Sequence, residues 1–125
     1  MESHGKTKKI LVVDDDLAVR DFLNRFLTMY GFKVKLVMSG QSAIEVLKEY
    51  DFDIVFLDIR MPYVDGIKTY QELINIKPNL RFVLMSGYAV EDLIKDILNQ
   101  DGVYFLKKPF DMEELNKVIE ELVKY

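Results

Sequence analysis

Five short, largely apolar runs recur along the chain at Ile10 to Val13, Val34 to Val37, Ile54 to Leu57, Phe82 to Met85 and Val103 to Leu106. Several of them are apolar at every position, so neither side of such a strand can face water, and the strand belongs in a parallel sheet covered on both faces. The segments between the runs change period. Val19, Phe22, Leu23, Phe26, Leu27 and Tyr30 recur at three-and-four spacing, with Gly31 standing where a helix C-terminal cap is expected. A second helix is expected over about 40–50 with Ala43, Ile44 and Leu47 inward, and a third over about 66–76, entered through an Asp65-Gly66 turn and stopped near Pro78. The fourth carries Leu93, Ile94, Ile97 and Leu98. The fifth opens at Asp111, an N-cap with Glu114 three residues on, and buries Leu115, Val118, Ile119 and Leu122. Strand and helix therefore alternate five times, which with right-handed crossovers is a doubly wound α/β domain with a five-stranded parallel sheet and five helices.

At 125 residues there is room for one core and one domain, read as residues 9–125 after a flexible polar tail, 1–8. Half the residues are hydrophobic and 30% are charged, a balance that suits a soluble globular chain. The net charge of −4 argues against a nucleic-acid or anionic-membrane surface, each of which favours a basic stripe. Disulfides and thiolate metal sites are excluded because the chain has no cysteine. The opening MESHGKTKK leads into only four apolar residues before three aspartates, too few for a signal peptide or membrane span, so a cytoplasmic protein is expected.

In such a sheet the ligand site lies beyond the carboxyl ends of the strands. There the first strand ends in Asp14, Asp15 and Asp16, the third in Asp58, the fourth in Ser86 and Gly87, and the fifth in Lys107, Lys108 and Pro109. Carboxylates gathered at one rim repel and take up protons unless a hard cation lies among them. Oxygen ligands alone, with positions left for water and a phosphate, suit Mg²⁺, and Mn²⁺ can substitute. A lysine ammonium and a hydroxyl at the same rim complete a set able to stabilise a phosphoryl group in transfer, with Asp58 as nucleophile.

The segments ILVVDDD (10–16), DIVFLDIRMPYVDG (53–66), VLMSGYA (83–89) and FLKKPF (105–110) together resemble the response-regulator receiver family, over nearly the whole chain. The resemblance implies the flavodoxin-like strand order 2-1-3-4-5. It also implies Asp58 as phospho-acceptor, Asp15 as a direct Mg²⁺ ligand, Asp14 as a ligand through water and the Arg60 carbonyl as a backbone ligand. Ser86 and Lys108 would contact the phosphoryl group, and the Lys108-Pro109 peptide bond would be cis. Phe105 takes the family's switch-aromatic place, with Tyr104 as the alternative according to strand register. Output would pass through the face made by the fourth helix, fifth strand and fifth helix. The lone histidine, His4, lies in the polar tail, so a phosphohistidine donor must come from a partner, a histidine kinase or histidine phosphotransfer protein. In the family that partner docks on the first helix and the loop after strand five, here Leu17, Ala18, Pro109 and Phe110. The output partner, or an effector domain beyond this chain, stays open. Arg60 and Tyr88, two residues beyond Asp58 and Ser86, are large enough to shield an acyl phosphate from water, and a long-lived phosphorylated state is expected.

Two plainer assignments and one rival complete the reading. Asp16 is the N-cap of the first helix rather than a ligand, and Lys107 is a surface residue because alternation sends Lys107 and Lys108 to opposite faces. A phosphatase of the haloacid dehalogenase superfamily also attacks with an aspartate after strand one, and Asp14 and Asp16 fit its DxD. Ala18 stands where that family has threonine or valine, and Asp58 would be left without a role.

Overall fold

The computed structural model describes residues 7–60, 63–88 and 90–124. His4 and most of the expected tail lie outside these residues. Lys8 lies inside them, and its carbonyl accepts a hydrogen bond from the Lys33 amide at 3.0 Å. The elements run β1 (Lys9–Val13), α1 (Leu17–Met29), β2 (Lys33–Val37), α2 (Gly40–Glu49), β3 (Ile54–Asp58), α3 (Tyr63–Ile76), β4 (Arg81–Ser86), α4 (Lys95–Leu98), β5 (Val103–Lys107) and α5 (Met112–Val123). All strand pairs are parallel, and the sheet order is β2-β1-β3-β4-β5. The order follows the expected doubly wound plan, in which β1 and β3 lie side by side and their carboxyl ends meet.

The two faces of the sheet carry separate cores, as period-two alternation requires. Leu11, Val13, Val55, Leu57, Phe82 and Leu84 pack with Ala43 and Leu47 of α2 and Leu73 of α3. Ile10, Val12, Ile54, Phe56, Val83 and Met85 pack with Leu23, Phe26 and Leu27 of α1 and Leu115, Ile119 and Leu122 of α5. Both outer helices are held by local capping. Asp16 accepts from the Ala18 and Val19 amides at the start of α1, and Asp111 and Glu114 form a reciprocal capping box at the start of α5. Gly31 ends the first helix segment at φ 96°, a left-handed geometry that costs glycine nothing.

Two expectations are corrected. Asp65 and Gly66 are not a turn into the third helix; α3 already begins at Tyr63 and both residues are helical. Gly66 is there for closeness. A Cβ on it would lie 3.0 Å from the Ile59 side chain and 3.1 Å from the Ile59 Cα, so glycine lets α3 sit against the residue that follows Asp58. The fourth helix is the second correction. It is a single turn of four residues, preceded by turns at 91–94, and Ile94 at its N-cap position offers no side-chain hydrogen bond. An isoleucine cannot cap the first amides, so the apolar spacing that suggested a longer helix instead buries Ile94 while leaving Leu93 exposed.

Candidate active site

Three strands deliver charge to one point. Asp14, just past β1, is buried. Its Oδ2 accepts from Lys108 Nζ at 2.7 Å, its Oδ1 accepts from the Asp16 amide at 2.9 Å, and its carbonyl accepts from Arg20 Nη1 at 2.9 Å. Asp58, the last residue of β3, accepts from Lys108 Nζ on Oδ1 at 3.0 Å and from Arg60 Nε on Oδ2 at 3.0 Å. Lys108 therefore ties together residues 94 and 50 positions away. Its own backbone amide donates to the Ser86 carbonyl at 2.8 Å, which anchors the loop after β5 to the end of β4. The peptide bond between Lys108 and Pro109 is cis. Lys107, its neighbour, is exposed as alternation requires.

The electrostatics of the pair follow from burial. Asp58 is held above the ordinary carboxylate range, chiefly because burial penalises its charged form. The Lys108 hydrogen bond opposes that rise, and the nearby Asp14 and Asp16 charges add to it. For Lys108 burial alone works downward, but hydrogen bonds and charge from Asp14 and Asp58 outweigh it and leave the ammonium above its usual value. It stays cationic at neutral pH. Asp14, Asp15 and Asp58 each offer a carboxylate oxygen, and these atoms lie within 4.8 Å of one another. An all-oxygen, triply anionic set of this span fits a hard divalent cation.

Other anticipated residues take up varied positions. Ser86 is fully buried, and its hydroxyl accepts from the Tyr88 amide at 3.0 Å rather than meeting the carboxylates. Asp15, Asp58, Arg60, Gly87, Tyr88 and Lys108 line one hollow of about 420 Å³. Asp16 caps α1 and takes no part in the cluster, which leaves a DxD pairing of Asp14 with Asp16 without support. Phe105 packs with the core that includes Ile94, Ile97 and Leu98, on the α4 side, whereas Tyr104 packs with the core of α1 and α5. Ala18, Pro109 and Phe110 line an apolar groove of about 500 Å³ beside Lys108, completed by Val19 and Phe22. Leu17 is exposed at the start of α1 and is not part of the groove lining.

Sequence reasoning missed three contacts. The Arg60 guanidinium bonds Asp58 and also Asp15, although only its carbonyl and its bulk were anticipated. Arg20 holds the Asp14 carbonyl from the first turns of α1. Phe22 packs against the core of α1 and α5 and, being only partly buried, also lines the groove, a second role its helical spacing did not announce. An arginine six residues past an aspartate at a helix start is a visible signal for the second contact. Nothing local signals the first.

Comparison with known proteins decides the family. The family model described as response regulator receiver domain matches residues 10–120. The chain belongs to this family. The receiver is 33% identical over 121 residues to the transcriptional regulatory protein ZraR of Klebsiella oxytoca, covering 97% of this chain and 27% of that protein. It therefore spans about a quarter of the length of such regulators. It is 28% identical over 114 residues to the sporulation initiation phosphotransferase F of Bacillus subtilis, covering 91% of this chain and 92% of that protein. Among solved structures, the response regulator TrrA of Thermotoga maritima, in complex with Mg²⁺ and BeF, superposes with a TM-score of 0.78. It shares 27% identity and covers 93% of this chain and 99% of that one. Among the described residues, no helix of the receiver is long and apolar enough to cross a membrane.

Proposed function

We propose that the receiver takes a phosphoryl group onto Asp58 from a phosphohistidine of a histidine kinase or histidine phosphotransfer protein. The observation that carries this reading is the Lys108 ammonium shared between buried Asp14 and the Asp58 oxygen Oδ1. An Asp58 oxygen would attack phosphorus in line, the P–N bond would break, and the imidazole nitrogen would leave and be protonated from solvent. Asp14, Asp15, Asp58 and the Arg60 carbonyl would hold Mg²⁺, or Mn²⁺ in its place. When bound, that ion supplies positive charge against the carboxylates and the transferred oxygens. Lys108 would follow the oxygen charge that builds on the phosphoryl group. The buried Ser86 hydroxyl would turn from the Tyr88 amide to donate to it. The same residues would serve hydrolysis of the acyl phosphate, so the chain would catalyse both its own phosphorylation and its own dephosphorylation.

The remaining assignments rest on the same site. Arg60 and Tyr88, at the mouth of the hollow, would screen the acyl phosphate from water and lengthen its life. Closure of Ser86 and Lys108 on the modified aspartate would shift the population of the α4-β5-α5 face, with Phe105 as the aromatic that moves. Its packing beside the single-turn α4 supports that choice over Tyr104. The groove beside Lys108, with Ala18, Pro109, Phe110 and neighbouring Leu17, would receive the phosphohistidine partner. An output protein or an effector domain outside this chain would read the α4-β5-α5 face. We place the domain, residues 9–125 after a tail of 1–8, in the cytoplasm.

Incubation with a small acyl phosphate and Mg²⁺, followed by intact mass and peptide mapping, tests the reading without a partner. Addition of one phosphoryl group at Asp58, absent in Asp58→Asn, is expected. No addition, or addition elsewhere, would overturn it. Loss of label over time in Arg60→Ala and Tyr88→Ala should quicken if these side chains shield.

A further inference from the structure

The two cations at the carboxylate cluster are held very differently. Lys108 donates to both Asp14 and Asp58, and its side chain is 19% exposed. Arg60 is 56% exposed; its Nε donates to Asp58 Oδ2 at 3.0 Å and its Nη2 reaches Asp15 Oδ1. Both Asp58 oxygens are thus occupied, one by each cation. The two carboxylates that Arg60 bridges are also two of the three whose oxygens converge within 4.8 Å. Arg60 lines two hollows, one with Tyr88 and Lys108 and one with Ser39 and Thr69.

We propose that Arg60 is a built-in competitor for the divalent cation: its guanidinium bridges Asp15 and Asp58, so that metal entry requires it to leave. This rests on the metal reading given above and deepens it. A cation that takes the carboxylate positions these donors fill displaces one of them. Lys108 is bound twice and lies mostly out of solvent, whereas Arg60 faces water and pays little to be rehydrated. Charge points the same way. The guanidinium already offsets charge on Asp15 and Asp58, the same charge that attracts a dication, so its presence weakens that attraction and its departure restores it. Released, Arg60 is free to move over the hollow it shares with Tyr88, where its shielding role is needed. One side chain therefore guards the carboxylates before the metal arrives and the acyl phosphate afterwards.

The test follows the thermal midpoint of the full chain as MgCl₂ is raised at constant ionic strength, with free Mn²⁺ measured by electron paramagnetic resonance as a second readout. Arg60→Gln is expected to bind either ion about five- to tenfold more tightly than wild type. Its gain in thermal midpoint between chelator and saturating Mg²⁺ should also be larger. Arg60→Lys keeps the charge but loses the two-carboxylate bridge, so its affinity should also rise, by less. A lysine variant that matches wild type would overturn displacement in favour of repulsion at a distance. Equal or weaker binding by Arg60→Gln, in a protein whose metal response is lost in Asp15→Asn, would overturn this inference and leave the metal reading intact. No saturable response in any variant would overturn both.

Discussion

The sheet carries charge at both of its edges, and the two edges use it in opposite ways. At the amino edge Asp53 accepts from the Lys9 amide at 2.8 Å, and Lys77 pairs with Asp51 at 2.5 Å, with the Asp51 side chain 86% exposed. Water solvates these groups, and each contact can be lost with little consequence. At the carboxyl edge Asp14 and Asp58 are withdrawn from water and held by one lysine. Stability there depends on the carboxylates keeping their cation, because removing one partner leaves uncompensated charge in a poor solvent. Exposed pairs follow from a fold that has to meet water somewhere; buried, converging carboxylates work against folding and mark the edge where chemistry is done.

Removing the lysine should break the contrast most severely. Lys108→Ala is expected to cost about 3 kcal/mol in urea unfolding at neutral pH, since it strips the shared cation from Asp14 and Asp58. Because the Lys108 pKa is raised in the folded protein, its contribution is present in full below about 10.5 and is lost as pH climbs through the folded value above that. The gap between wild type and variant should therefore narrow in strongly alkaline buffer. A gap independent of pH would mean that packing, not charge, holds the rim.

Gly66→Ala comes next, at about 2 kcal/mol. Alanine gains roughly 1 kcal/mol in helix propensity, but its Cβ meets the Ile59 side chain and backbone, and the backbone cannot step aside cheaply. Stabilisation by this variant would show that α3 can back away from Asp58. In Asp58→Asn the sign reverses. Its raised pKa means that the folded state holds the proton longer than the unfolded chain, so ionised Asp58 opposes folding as pH rises from about 3.8 through the folded value. The amide should raise stability slightly at neutral pH while abolishing phosphorylation. A less stable Asp58→Asn would show that the Lys108 attraction outweighs burial and repulsion. At the other edge, Lys77→Ala should stay within about 0.5 kcal/mol of wild type. A larger loss there would erase the difference between the edges.

How the chain divides into strands and helices was legible because those signals are local. Period two against three-and-four spacing, the Asp16 and Asp111 caps and the glycine at 31 each act within a few residues, and the strand ends then named Asp14, Asp15, Asp58, Ser86 and Lys108 together. Local signals failed where distant contacts decided. Gly66 reads as a turn until Ile59 is seen beneath it. The alternation of Tyr104 and Phe105 was plain, but which ring faced α4 depended on how β5 docks against β4. The sequence alone determined which groups reach the rim, because strand ends follow from hydrophobic period. Only the tertiary structure decided which of them touch: strand order and side-chain direction bring Lys108 between Asp14 and Asp58 and lay Arg60 across Asp58 and Asp15.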